Sequence, residues 1–284
     1  MNDTASLSLA YSPCPNDTYI FAAWTQGLLA DAPPVRVVLD DVEALNSAAK
    51  TGQYALTKVS YGAIPSLLGH YRILRSGGAL GRGCGPLVVV RPNSDGTTPA
   101  LAALGDGTRF AIPGRMTTAY LLLRLAVGAE VEAVPMRFDR IVAAVAGGEV
   151  DAGLIIHESR FTYAQAGLRC AADLGAWWEA TTGLPIPLGA ILVRHDLAPE
   201  LLVRIDPTIR ASLAFARANP TAIAPYIREH AFEMDESVMH AHIALYVNDY
   251  SDDIGSDGIA AVTELFDRAA AAGLVPMGTT PIFA

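Results

Sequence analysis

His157 ends an apolar run, residues 152–156, that reads as a buried strand, so its ring is expected at the rim of a core. An imidazole placed there can take a proton from a substrate near neutral pH. The plainer alternative is a structural histidine bonded to backbone, and the residue alone does not decide between them. Glu158 and Arg160 follow in sequence, but strand neighbours point to opposite faces and are not automatic partners. His70, His195, His230, His240 and His242 fall in loops or helices. His240 and His242 are two apart on a helix and face different directions, which argues against a shared metal ion.

Three more polar clusters follow strands. Ser12-Pro13-Cys14-Pro15-Asn16-Asp17-Thr18 makes a stiff turn in which Asn16, Asp17 and Thr18 can cap a helix. A strand, a polar turn and a helix N-terminus offer N–H groups to an anionic ligand. Lys58 and Ser60 lie in and after a third strand; Lys58 is either an edge-exposed charge or an inward-facing anion contact. Thr117 and Thr118 precede an apolar helix, where they either cap it or hold a carboxylate or phosphate. Ligands of open α/β sheets bind outside the carboxyl ends of strands, so the four clusters can enclose one small polar molecule.

Other features carry less. The run from Gly77 to Gly85 is rich in glycine but lacks the GK[ST] ending and a following helix, which rejects a nucleotide loop. It suits close backbone approach or a hinge. Trp177-Trp178 reads as packing, with aromatic stacking on a substrate as the minor alternative. Cys14, Cys84 and Cys170 are odd in number and widely spaced, so they read as reduced thiols, with no disulfide framework and no metal site.

The 284 residues, 51% hydrophobic and 17% charged, support a large core. A formal charge of −9 gives no basic field for nucleic acid or an anionic membrane. An anionic substrate must then be held by local donors. The start, Met1 to Ser6, has no basic region and no long apolar stretch, so no export signal is expected, and no run reaches the ~20 apolar residues of a membrane span.

Strands are expected at residues 7–11, 35–39, 55–59, 86–90, 109–112, 131–134, 152–156 and 189–193. Helices fall between them, and four more are expected at 207–218, 221–230, 236–246 and 257–272. The alternation predicts a mostly parallel sheet. A weak echo between residues 52–60 and 148–157 supports two lobes of like design. The late helices suggest that the chain returns to its first lobe. The larger lobe would hold residues 1–90 and 192–284, and the smaller one 91–191. Hinges would fall near 88–91 and 190–194, with a ligand cleft between the lobes.

Taken together, several motifs resemble the 1,4-dihydroxy-6-naphthoate synthase family of the futalosine pathway of menaquinone biosynthesis. They are the Ser12-to-Thr18 turn, Thr57-Lys58-Val59-Ser60-Tyr61, Arg75-Ser76-Gly77-Gly78-Ala79-Leu80-Gly81, Pro113-Gly114-Arg115, Thr117-Thr118-Ala119-Tyr120 and Gly153-Leu154-Ile155-Ile156-His157-Glu158-Ser159-Arg160-Phe161-Thr162-Tyr163. Leu184-Pro185-Ile186-Pro187-Leu188-Gly189 and Tyr246-Val247-Asn248 fit as well. Met116 stands where some relatives carry a polar residue.

The resemblance implies an α/β, two-lobed fold like the type 2 periplasmic binding proteins. It implies a cytoplasmic, cofactor-independent lyase acting on cyclic de-hypoxanthinylfutalosine, with 1,4-dihydroxy-6-naphthoate and a three-carbon sugar fragment as products. The catalytic base falls on His157, and substrate contacts on Lys58, Val59, Ser60, Thr118 and Ala119. Ser12, Asn16 and Thr117 join the expected binding set from their strand-end positions. Proton removal suits the loss of a carbon fragment with aromatisation of a ring. A solute-binding protein of the same fold would need export and no cleft histidine. The chorismate dehydratase of the same pathway shares the fold, but the Ser12 turn and the His157 segment match the naphthoate synthases.

Overall fold

The first strand, β1 (Leu7–Tyr11), is apolar and almost wholly buried, and the Ser12 turn leads from it into helix α1 (Pro15–Thr25). Then come β2 (Val35–Leu39), α2 (Val42–Ala49), β3 (Leu56–Ser60), β4 (Tyr71–Ile73) and β5 (Ala79–Gly81). The chain crosses to a second unit with β6 (Leu87–Val90), β7 (Arg109–Ile112), α3 (Thr118–Val127), β8 (Glu132–Pro135), α4 (Phe138–Ala146) and β9 (Ala152–Ile155). That unit ends with α5 (Ser159–Thr162), β10 (Arg169–Asp173) and α6 (Leu174–Thr182). The long β11 (Ile186–Arg194) returns to the first unit, followed by α7 (Pro199–Ala218), α8 (Pro220–His230), α9 (Glu236–Tyr246), α10 (Asp249–Asp252) and α11 (Gly255–Ala271). The structure, a computed structural model, describes residues 6–105, 107–128, 130–231, 235–276 and 283–284. The start read above for an export signal lies, but for Ser6, outside the described residues.

The strands form two sheets, β2-β1-β3-β11-β4 with β5 also on β11, and β10-β6-β9-β7-β8. Each half of the fold has a parallel nucleus. In the first, β1 pairs with β2 and β3; in the second, β7 pairs with β8 and β9. The expectation of a mostly parallel sheet needs correction, because both sheets are mixed. The returning strand β11 runs antiparallel to β3, β4 and β5, and β6 runs antiparallel to β9 and β10. A chain that leaves one sheet and comes back enters it from the opposite end. Since β6 belongs wholly to the second sheet and β11 to the first, the crossings lie at 82–86 and 183–185, earlier than the expected 88–91 and 190–194.

Capping explains several boundaries. Asp41 accepts from the Glu43 N–H at the start of α2, and Asp173 accepts from Gly175 and Ala176 at the start of α6. Gly128 and Gly183 end α3 and α6 in the left-handed conformation. Helix α7 begins eight residues before the expected Pro207, which it carries internally. Trp178 is fully buried and donates to the Pro185 carbonyl, consistent with packing. One continuous apolar cluster joins the lobes, with Val59, Leu192 and Phe266 on one side and Val88, Ile112 and Leu154 on the other. No helix among the described residues is long and apolar enough to cross a membrane.

Candidate active site

Parallel strands β1, β3, β7 and β9 all end at the seam between the lobes, so the four polar clusters meet there. Ser12, Asn16, Lys58, Val59, Ser60, Thr117, Thr118, Ala119 and His157 line one cleft. Asp17, Cys84, Tyr246 and Leu188 complete much of its wall. Tyr61, which follows β3, is buried and lies outside the lining.

His157 follows β9 with φ of 57°, and among the described residues no other non-glycine residue has a positive φ. This left-handed turn is costly for an ordinary side chain and marks a place where the fold imposes a direction. The ring packs edge-on against Phe138, with centroids 4.9 Å apart, and lies 6.2 Å from the ring of His242. Burial lowers its pKa from the ordinary 6.5 to about 4; Asp17 works against the shift and Lys58 adds to it. The imidazole is therefore neutral at physiological pH, with a lone pair to accept a proton.

Lys58 takes the inward-facing of its two expected positions, and the anion it meets is the protein's own Asp17. Its strand β3 is central, its side chain is buried, and its ammonium sits 2.6 Å from Asp17. Ser12 Oγ donates to Asp17 Oδ2 at 2.7 Å and Asn16 Nδ2 donates to Asp17 Oδ1 at 2.9 Å. A weaker 3.4 Å contact runs from Lys58 Nζ to the Gly77 carbonyl. The cation is thus neutralised within the protein and is not a bare anion receptor. Asn16 Oδ1 is buried with no hydrogen-bond partner among the described residues, which leaves an acceptor for a ligand donor.

The capping expectation for the Ser12 turn also changes. Cys14 is the N-cap of α1 and makes no side-chain cap bond; Pro15 occupies the first helical position. Asn16, Asp17 and Thr18 stand inside the first turn. Thr18 Oγ1 donates back to the Cys14 carbonyl, while Asp17 organises the wall of the cleft.

Ser60 donates its backbone N–H to Asn46 Oδ1 at 2.8 Å, and its hydroxyl accepts from Asn46 Nδ2 at 3.3 Å. The Ser60 hydroxyl proton remains available to a ligand. Thr117 caps α3: its hydroxyl accepts from the Tyr120 N–H and donates to the Gly114 carbonyl. Thr118 Oγ1 donates to the Leu188 carbonyl at 2.7 Å and accepts from the Gly62 N–H at 3.0 Å. It ties the smaller lobe to the larger one. Because Thr118 and Ala119 are the first residues of α3, their N–H groups have no intrahelical acceptor, and both residues line the cleft. They offer an anion more than the two hydroxyls do.

Sequence reasoning missed Asp17 and Tyr246 as parts of this wall, and Asn46 as the residue that bonds Ser60. Asn46 carried a readable signal, being polar on the buried face of α2 beside Leu45 and Ala49. It also missed the meeting of Cys14, His157 and Glu158, whose ligand atoms all lie within 4.8 Å of one another. Only the tertiary fold joins the Ser12 turn to the end of β9. Burial pushes the Cys14 thiol well above its ordinary range, and that of Cys84 up to about 12.

Two α/β lobes with a polar cleft at their seam define a protein of the periplasmic-binding-protein-like fold. An alkanesulfonate-binding protein from Xanthomonas axonopodis pv. citri, bound to MOPS, shares that fold with a TM-score of 0.73 at 16% identity, covering 98% of this chain and 96% of that one. A crystal structure of a protein from Archaeoglobus fulgidus is nearer, with a TM-score of 0.88 at 37% identity over 97% of this chain and 100% of its own. The chain belongs to the menaquinone biosynthesis family, whose model matches residues 7–271. A relative from Thermus thermophilus, 50% identical over 98% of this chain and 99% of its own length, bears the name 1,4-dihydroxy-6-naphtoate synthase. One from Streptomyces coelicolor, 48% identical with 95% of each chain covered, bears the same name.

Proposed function

We propose that this protein is a carbon–carbon lyase of menaquinone biosynthesis. It converts cyclic de-hypoxanthinylfutalosine to 1,4-dihydroxy-6-naphthoate and releases a three-carbon sugar fragment, in the cytoplasm and without a cofactor. The two relatives near 50% identity support this reading over a solute-binding protein or a chorismate dehydratase. The observation that carries it is His157, a half-buried neutral imidazole facing a cleft walled by both lobes.

The roles follow from the free hydrogen-bonding capacity around it. His157 accepts the proton whose loss accompanies aromatisation, and the Asp17 carboxylate favours the imidazolium that forms. The N–H groups of Thr118 and Ala119 receive the substrate carboxylate at the N-terminus of α3. Ser60 donates to, and Asn16 Oδ1 accepts from, the hydroxyls of the sugar portion. Val59 and Ala119 supply apolar contact. The lobes close around the substrate and keep water from the reacting carbon.

The test is incubation of the purified protein with cyclic de-hypoxanthinylfutalosine, followed by mass and absorbance. Naphthoate and the sugar fragment are expected in equal amounts. Unchanged substrate under conditions where the protein is folded would refute the activity.

A further inference from the structure

We propose that Cys14, His157 and Glu158 form a binding site for zinc-like ions that clamps the lobes and silences the base. The inference rests on reading His157 as that base. The three ligand atoms already lie within 4.8 Å of one another. Zinc bonds of about 2.0–2.3 Å hold tetrahedral ligand atoms roughly 3.3–3.8 Å apart, so small inward shifts complete the geometry.

The donor set selects the ion. A thiolate, an imidazole and a carboxylate suit borderline-soft tetrahedral ions, whereas magnesium and calcium take oxygen-rich shells. Zinc with one thiolate, one carboxylate and a neutral imidazole is electrically balanced, which a buried site tolerates better than a bare charge. Cys14 and Glu158 are both buried. The Cys14 sulfur has no capping role, because the capping of α1 at that residue runs through its carbonyl, which accepts from the Asp17 and Thr18 N–H groups. A water molecule would take the fourth position.

The ligands come from both lobes. Cys14 stands between β1 and α1 in the larger lobe, and His157 and Glu158 form the turn after β9 in the smaller one. On binding, the thiol proton leaves to solvent, and sulfur, imidazole nitrogen and carboxylate oxygen each give a lone pair to the ion. The imidazole pair is then no longer available to accept a substrate proton. An ion joined to both lobes also holds the cleft against entry. The bound state is a dead end that competes with substrate.

Chelator-treated protein is titrated with cobalt(II) and zinc, and product formation is followed in parallel. One equivalent of cobalt is expected to give a thiolate charge-transfer absorption with four-coordinate visible bands. Zinc should displace it and stop turnover, chelator should restore turnover, and magnesium should do neither. Cys14→Ser should lose the charge-transfer absorption and bind zinc at least about tenfold more weakly. Glu158→Gln should weaken zinc binding similarly while keeping that absorption, which preserves the test if Cys14→Ser fails to fold. No thiolate absorption in the parent protein, or zinc inhibition unchanged in the folded variants, overturns the site. If cobalt does not bind but His157→Asn is inactive, the base assignment stands and the metal site falls. Stoichiometric zinc bound through Cys14 with full turnover would overturn the silencing and the base assignment together.

Discussion

An imidazole that its surroundings keep neutral is ready to accept a proton, but it gives the fold a pH dependence of its own. His157 has its pKa lowered from 6.5 to about 4 by burial, with Asp17 opposing and Lys58 reinforcing. Between those values the unfolded chain binds a proton that the native protein does not. Stability at this residue is therefore fully present above the unfolded value and falls as pH drops through that window. Below about 4 both states are protonated and the loss is complete. The free enzyme should keep its base through pH 6.5, so kcat/KM should show no His157 half-point there and should fall only toward pH 4. A pH–rate profile checks this, and an acid limb centred near 6.5 that disappears in His157→Asn would contradict it. At this scale the place of His157 at the end of a buried strand was legible, and that place lines the cleft. Asp17 was not, because it resembles an ordinary helix-start acid until the fold sets Lys58 beside it at 2.6 Å.

Among the elements, the βα units were readable and the pieces joining them were not. β1, β2, α2, β7 and α9 keep the boundaries that periodicity and capping residues suggest. β4, β5 and β10 were missed, as was α6. The first two are three residues long, and Gly81 sits in a glycine-rich run that has no strand signal of its own. Their hydrogen bonds come from β11, a partner more than a hundred residues away. α6 did carry an Asp173 cap and a Gly183 stop, but its short run with two tryptophans read as packing. The elements also fix the seam. A Cβ on Gly62 would stand 2.9 Å from the Thr117 carbonyl oxygen and 3.0 Å from the Thr118 nitrogen, where backbone meets backbone. Gly62→Ala should push α3 away and break the Gly62–Thr118 hydrogen bond. A bond worth about 0.5–1.5 kcal/mol corresponds to a KM raised about two- to tenfold. Steady-state kinetics measure it, and an unchanged KM in the folded variant would show that the seam does not position α3 for substrate.

For the molecule as a whole, the lobes are not loosely hinged plates. The apolar cluster runs through both, Thr118 bonds to Leu188 and Gly62, and Glu43 accepts from the Met116 N–H. These contacts join the two lobes across the seam, so any opening of the cleft would have to break them. A net charge of −9 leaves the attraction of an anionic substrate to local groups, chiefly the start of α3. In this arrangement the proposed base, His157, stands in the smaller lobe, while the proposed binding groups come from both. The central claim is that His157 takes the proton of a substrate held across the seam, and its removal should separate binding from chemistry. Asparagine tolerates the left-handed backbone at this position, so His157→Asn is the appropriate replacement. The decisive measurement is single-turnover formation of naphthoate by folded His157→Asn at saturating substrate. A rate lower by about 10²–10⁴ is expected, with substrate still bound in the cleft; a rate near that of the parent protein would contradict the role of His157 as base.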